Sequence, residues 1–291
     1  MPDAEAVSVG SGDVAGATLP AASRPPRRRR RSGRAQRDGR RRLRVGTAAV
    51  VVALLAWILL TTVTHTISPG RFPSPADVWQ AAVQIATQGY ANATLASHIW
   101  QSSRLVLVGF AVAVATGVPL GLLMGWSRRA EALINPAFLL IRPIPPLAWI
   151  PLAILWLGLG DAAKVFVIWF AAFVPALINS YTGVRGLDPT LIEAARVHGA
   201  SRWTLLRDVV LPGASPLIFT GLRLSLQASW TTLVAAELVG ALAGLGHVLT
   251  QASLDIYPGM ILFAMAWVGL LGGLMTKALE QVERRVLPWL H

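Results

Sequence analysis

Charged residues are missing from this chain over blocks long enough to cross a lipid bilayer, and that limits its fold more than any other feature. Residues 45–63, 105–127, 143–160, 165–184 and 256–276 contain no Asp, Glu, Lys or Arg, and residues 209–236 contain only Arg223. A helix rises ~1.5 Å per residue, so about 20 such residues cross ~30 Å of hydrocarbon. In lipid the backbone must satisfy its own hydrogen bonds, which near-continuous apolar runs of this length do as helices. The sequence therefore predicts an all-α membrane protein with six transmembrane helices. Composition agrees: 54% of the 291 residues are hydrophobic and 14% are charged, too few polar groups to cover a soluble domain of this size.

The formal charge of +12 then has to be placed. Twelve arginines fall within residues 1–44, beside only Asp3, Glu5, Asp13 and Asp38. This stretch is rich in Ala, Ser, Gly and Pro, has no apolar periodicity, and carries a self-repelling run from Arg27 to Arg31; it reads as a disordered tail. No aromatic residue interleaves its arginines, so the stacking platforms of a single-strand nucleic-acid binder are missing. The tail reads as a topology determinant attracted to anionic lipid headgroups. The first apolar run is too long for a signal peptide, and Thr64-His65-Thr66-Ile67 follows it rather than a small-residue cleavage site, so it reads as a retained anchor.

An inside N-terminus puts the tail, Arg128, Arg129, Arg185, Arg196, Arg202, Arg207, Lys277, Arg284 and Arg285 on the cytoplasmic side, and Arg71, Arg104 and Lys164 outside. That distribution satisfies the positive-inside rule with both termini cytoplasmic. Residues 132–160 are too long for one upright helix, and Pro143, Pro145, Pro146 and Pro151 must break or kink it; one bent span is expected. Residues 239–257, with Gly240, Gly244, Gly246, Gln251 and Asp255, are expected to form an external loop or re-entrant piece.

The long loop between the fourth and fifth spans, residues 185–214, carries the most specific pattern. Asp188-Pro189 reads as an N-cap followed by proline at the first helical position, and Gly199 as the stop. Ser201 caps a second short helix expected to run to about Asp208, with Pro212 at the entry to the next span. On the first helix Leu191, Ala194, Ala195 and His198 share one face, a stripe of largely small residues that permits close approach.

Glu193-Ala194-Ala195, then Gly199, then Val209, then Leu211-Pro212 resembles the "EAA" signature, E-A-A-x3-G-x9-I-x-L-P, of permease subunits of bacterial ABC importers, with valine in place of isoleucine. The resemblance implies a type I importer permease core whose loop docks on a cytoplasmic ATPase subunit through Glu193, Ala194, Ala195, Gly199, Leu211 and Pro212. Arg142 to Pro151, Gly158-Leu159-Gly160, Gly221-Leu222-Arg223 and Val234 to Glu237 resemble the nitrate, sulfonate and taurine subgroup. It further implies two copies of the permease, two ATPase subunits that bind ATP and Mg, an external solute-binding protein, and residence in the cytoplasmic membrane. The resulting domain division is a tail (1–44), an anchor (45–64), an external segment (65–101), a permease core (102–285) and a C-terminal tail (286–291).

No chemistry of the chain's own emerges. Cysteine is absent, which excludes thiolate sites and disulfides. Neither Lys164 nor Lys277 follows a glycine, so there is no phosphate-binding Walker loop and no cofactor is expected in this chain. The five histidines have no metal spacing, His98 reads as interfacial, and Asn92-Ala93-Thr94 reads as a chance glycosylation pattern. Arg142, Arg223 and Glu237 are the charged residues expected inside spans and are the candidate pathway residues. Glu237 lies near the outer end of its helix, where water or headgroups would reach it, and is equally readable as a structural hydrogen-bonding group. An ion-driven secondary transporter would call for paired intramembrane acids or matching broken helices in two halves, and neither is visible. A membrane-anchored protein binding nucleic acid through the tail is the other alternative.

Overall fold

A computed structural model describes residues 46–49, 51–63, 72–238 and 240–290. The arginine-rich tail and Arg71 lie outside the described residues. Residues 46–49 and 51–58 are helical (α1), and a π-helical turn follows at Leu59–Val63. Among the described residues there is no strand; one bridge joins Tyr90 and Ala93.

The segment before the second span contains a helix that was not expected, α2 (Pro75–Thr87). Its cause is local: Ser74 Oγ accepts the Asp77 N–H at 3.3 Å while Asp77 accepts the Ser74 N–H at 2.8 Å, a reciprocal capping box, with Pro75 pre-setting the first turn. A tight turn follows in which Ala91 and Asn92 both have positive φ, and Thr94 caps the next helix. The apparent glycosylation pattern is therefore a turn and a cap.

The core is built on α3 (Leu95–Trp126) and α6 (Asp161–Arg185). Gly109, Ala113, Gly117, Gly121 and Gly125 recur every fourth residue on α3 and are all buried. A Cβ added at Gly121 would stand 2.4 Å from the Leu177 carbonyl oxygen, and one at Gly109 or Gly125 would stand 2.5 Å from the side chain of Ile168 or Val184. Lipid gives helices no hydrophobic reason to associate, so this backbone contact over four turns supplies the van der Waals attraction that does. On its other side α6 meets α9 (Leu211–Leu238). There Ser225 Oγ donates to the Ala172 carbonyl at 2.7 Å, and Gly221 lets Pro175 and Asn179 come close.

Prolines shape the remaining spans. Residues 132–160 bend sharply at a short break: α4 (Arg128–Ile141) and the pair formed by a 3-10 turn at Pro146–Trp149 and α5 (Ile150–Leu157) meet at 85°. Pro143, Pro145 and Pro146 withhold the N–H groups that would carry the helix across this point. Where Pro216 leaves the Pro212 carbonyl without its usual N–H, Ser215 Oγ donates to it at 2.7 Å. Residues 239–257 contain a short helix, α10 (Leu245–Leu254), and α11 (Pro258–Val286) completes the described helices. Four helices are each long and apolar enough to span a bilayer, and the broken pair makes a fifth if counted as one. The first apolar segment, Gly46–Thr62, is a shorter helix than these.

The α3–α6 seam yields a direct test. Gly121→Ala gains about 1 kcal/mol of helix propensity, but its Cβ would collide with backbone, an overpacking cost of ~1–3 kcal/mol, and Gly121→Val adds bulk to the same collision. Both variants are expected to lower the melting temperature in detergent, valine more. Gly273→Ala, where nothing lies within 4 Å of the added atom, is expected to leave it unchanged or raised.

Candidate functional site

The loop between α6 and α9 is ordered by its own backbone chemistry. Asp188 accepts the Thr190 N–H at 2.9 Å and starts α7 (Pro189–Val197). At the other end the Ala200 N–H reaches the Ala195 carbonyl at 3.0 Å and the Gly199 N–H the Arg196 carbonyl at 2.9 Å, the paired bonds of a Schellman stop. Gly199 sits at φ +79° with nothing within 4 Å of a would-be Cβ. It supplies backbone handedness, not room.

Ser201 caps α8 (Arg202–Leu205) as expected, accepting the Thr204 N–H at 3.2 Å. The second helix does not stop at about Asp208. It passes through a π-helical turn, Leu206–Val210, directly into α9. Pro212 has no N–H for the Asp208 carbonyl, and the Leu211 N–H bonds one residue further back, to Leu206. One extra residue absorbs the proline without ending the helix.

The motif residues divide between two faces. Ala195 turns inward with Ile192 and Ala200 onto a cluster of Val184, Leu205, Val210 and Ala214 that also engages Leu122 and Trp126. The expected stripe of Leu191, Ala194, Ala195 and His198 is thus split. Outside lie Glu193, Ala194 and Gly199, together with Leu191, Val197 and Trp203, the last two 86% and 70% exposed. Sequence reasoning missed Val197 and Trp203; an apolar residue one position from a charged one on a short loop helix was the available signal. His198 turns its ring back, Nδ1 lying 2.8 Å from the Ala194 carbonyl. Leu211 is exposed and Pro212 half-buried at the start of α9.

Beneath α7 the loop-side ends of α3, α4 and α6 border an open cavity of about 670 Å³ with Arg128, Arg185, Arg196 and Arg202 at its walls. Glu131 ties the floor together by pairing with Arg185 and accepting the Tyr181 hydroxyl. The loop therefore rests on a braced base, with its apolar outer face unsupported by this chain.

Arg142, Arg223 and Glu237 are not brought together. Arg142 is the exposed C-cap of α4 beside an aromatic-walled cavity containing Trp169 and Phe173. Arg223 donates from Nη2 to Glu283 of α11 at 2.8 Å and lines a different cavity, between α9 and α11. Glu237 is 1% exposed, contrary to the expectation that water or headgroups would solvate it. Its carboxylate accepts from Ser102 Oγ at 2.8 Å and from the Gly246 N–H at 2.8 Å. His98, expected at the interface, is fully buried: Nδ1 accepts the Gly244 N–H at 3.0 Å and Nε2 lies 2.9 Å from the Tyr90 carbonyl. The α9–α10 connection folds down over both side chains and excludes solvent from them.

Residues 117–286 match the model of the family described as "Binding-protein-dependent transport system inner membrane component". The chain belongs to that family. It is a multi-pass permease subunit of the inner membrane. It is similar to the taurine transport system permease protein TauC of Escherichia coli (strain K12), with 37% identity over 85% of this chain and 89% of that one. It is also similar to the bicarbonate transport system permease protein CmpB of Synechococcus elongatus, with 36% identity over 65% of this chain and 69% of that one. In fold it resembles the MetNI methionine ABC transporter in an inward-facing conformation, at TM-score 0.56 and 22% identity over 66% of this chain and 95% of the matched chain.

The loop caps of this permease give two expectations. Hydrogen bonding from Thr190, chiefly its backbone N–H, holds the Asp188 carboxyl below its ordinary range. The cap is thus fully present above the pKa of an unfolded aspartate, about 4, and is lost as pH falls through the lower folded value. Protection of the Thr190 amide, taken relative to its intrinsic exchange rate, is expected to be kept at pH 5, to fall as pH is lowered well below the ordinary aspartate range, and to be low throughout in Asp188→Ala. Gly199→Val must hold a β-branched residue at positive φ, a strain of at least ~1–2 kcal/mol, whereas Gly199→Asn is expected to fit. Exchange at residues 195–200 should rise in the valine variant only.

Proposed function

We propose that this permease carries a small oxyanion across the cytoplasmic membrane, driven by ATP hydrolysis in a separate subunit that docks on the α7 loop. One observation carries the docking reading. Leu191, Ala194, Val197 and Trp203 present apolar surface to solvent on a segment whose caps and inner packing are complete without it. Apolar surface on a braced, doubly capped helix has the character of a partner site. The matched motif residues Glu193, Ala194 and Gly199 lie on that same outer side. The sequence has no Walker loop, so ATP and Mg are assigned to the partner and no cofactor to this chain.

The full assembly on this reading contains two copies of the permease, two ATPase subunits and an external binding protein, with both termini cytoplasmic and the basic tail against lipid headgroups. Nucleic acid has no place in it. ATP binding would draw the two α7 loops together, and the spans would alternate between inward-facing and outward-facing states. The oxyanion class is carried over from taurine and bicarbonate, which the two relatives' names give for those proteins. Sulfonate and bicarbonate share a delocalised negative charge on oxygen atoms that suits N–H donors.

The test is co-purification of the ATPase with tagged permease, alongside ATP-driven uptake of radiolabelled taurine and bicarbonate. Val197→Glu buries a charge in the contact and is expected to weaken ATPase retention by at least about tenfold, as for a central interface residue. Glu193→Lys should retain insertion but uncouple uptake. Undiminished ATPase retention and uptake in Val197→Glu would overturn the docking assignment.

A further inference from the structure

Three polar residues follow one another along a single face of α9. Arg223, Gln227 and Thr231 are spaced by four and all border the cavity of about 590 Å³ between α9 and α11, whose wall includes Gly269 and Gly272. Gln227 lies 16 residues from Leu211 and 11 from Leu238, the two ends of the helix, so it sits near mid-span. Its side chain is exposed and has no hydrogen-bond partner among the described residues. A primary amide facing hydrocarbon would leave two donors and an acceptor unmet, which a bilayer does not tolerate without water, protein or solute at that point.

Two further unmet donors belong to residues of the same wall. Arg223 Nε and Trp230 Nε1 are buried without an acceptor, although Arg223 Nη2 already serves Glu283. Thr231 Oγ1 is satisfied, donating to the Gln227 carbonyl at 3.1 Å, and so shows its lone pairs rather than a free hydrogen. The two buried nitrogens do not face the groove; what the wall offers is the exposed Gln227 amide and the exposed part of the Arg223 guanidinium, which is paired with Glu283. The volume falls within the ~300–1,000 Å³ usual for small-molecule sites.

We infer that the α9–α11 groove is a solute-contact site for a small oxyanion, with Arg223 and Gln227 as its N–H donors and Glu283 holding Arg223 in place when the groove is empty. The anion accepts from the unpartnered Gln227 amide and the exposed part of the Arg223 guanidinium, and the standing Arg223–Glu283 pair keeps the site from holding it too tightly to release. Gly269, Gly272 and Gly273 thin the side-chain cover of the opposite wall, which Met265, Val268 and Thr276 complete. This assignment rests on the permease reading for its purpose, but the groove's exposure to water and its charge preference do not depend on which ATPase binds the loop.

The chain has no cysteine, so single-cysteine variants of the full-length protein in membrane vesicles report access directly. The probes are two methanethiosulfonate reagents of similar size, one bearing an anionic sulfonate and one a quaternary ammonium. Ser201→Cys on the exposed loop gives each reagent's reference rate and confirms insertion. Val112→Cys on the outer face of α3 gives the lipid-facing rate. Gln227→Cys and Thr231→Cys are expected to react at least about tenfold faster than Val112→Cys, with the anionic reagent favoured over its reference rate. Adding Arg223→Gln is expected to cut that anionic preference about tenfold, while Arg223→Lys leaves it within about twofold. Reaction at Gln227→Cys no faster than at Val112→Cys, or an anionic preference indifferent to Arg223→Gln, would overturn the assignment. Fast anionic labelling together with unchanged ATPase retention in Val197→Glu would leave the groove standing and remove the docking reading instead.

Discussion

Everything described in this permease hangs on how closely α3 lies against α6. In a bilayer two apolar helices gain nothing from leaving water, so their attachment comes from contact itself. Five small residues at four-residue intervals on α3 bring its backbone to Ile168, Leu177, Ser180 and Val184 of α6 at distances that admit no further carbon. With one face of α6 fixed in this way, its other face is available to α9, where Gly183 and Gly221 repeat the device on a smaller scale. The seam ends at Gly125 and Val184, and Val184 is also the first residue of the cluster under the α7 loop. Position and depth of that loop are thus consequences of helix packing one turn above it.

The two ends of the bundle solve opposite problems. At the loop end, backbone groups freed by turns are returned to the backbone, through the Asp188 and Ser201 caps, the paired bonds around Gly199 and the π turn at Pro212. The outer surface of the loop keeps its apolar side chains uncovered. At the far end the free N–H groups of Gly244, Leu245 and Gly246 are given to side chains, His98, Ser102 and Glu237 in turn. A carboxylate at the start of α10 also faces the positive end of that helix. Glu237 is in this sense a built-in hydrogen-bond acceptor for the turn, which accounts for a buried acid at this place.

The long apolar helices, the family motif and the first cap of the loop were legible from the sequence because each depends on local pattern: runs without charge, a motif at fixed spacing, and an N-cap beside a proline. The helix over Pro75–Thr87 was not expected, although Ser74-Pro75 with Asp77 two residues further on carried its signal. The four-residue periodicity of Gly109, Gly117, Gly121 and Gly125 was equally there to be read. What local pattern could not show was how distant segments cover each other. Glu237 and His98 look solvated when only their own helices are considered; both are buried because residues more than 140 positions from His98 fold over them. The continuity of α8 into α9 was hidden by Pro212, since whether proline ends a helix or only shifts its register is decided by the neighbouring bonds.

That continuity bears on how the two assigned sites relate. Helical backbone runs without a break from Arg202 to Leu238, so Trp203 on the loop and Gln227 in the groove belong to one rod. On one side of this rod Ser225, Ser229 and Glu237 are buried with their hydrogen bonds made inside the bundle. On another side Arg223, Gln227 and Thr231 border open space, and the Gln227 amide there has no partner among the described residues. A helix whose polar groups are satisfied on one face and waiting on another is anchored and receptive at once. Under the importer reading, a displacement applied at the loop reaches the groove through a single helical element whose regularity is interrupted by the π turn at Leu206–Val210 and by Pro216. A turn with one extra residue is where such a rod can change pitch at least cost, which makes it the natural point for the loop to move without unseating the α3–α6 seam.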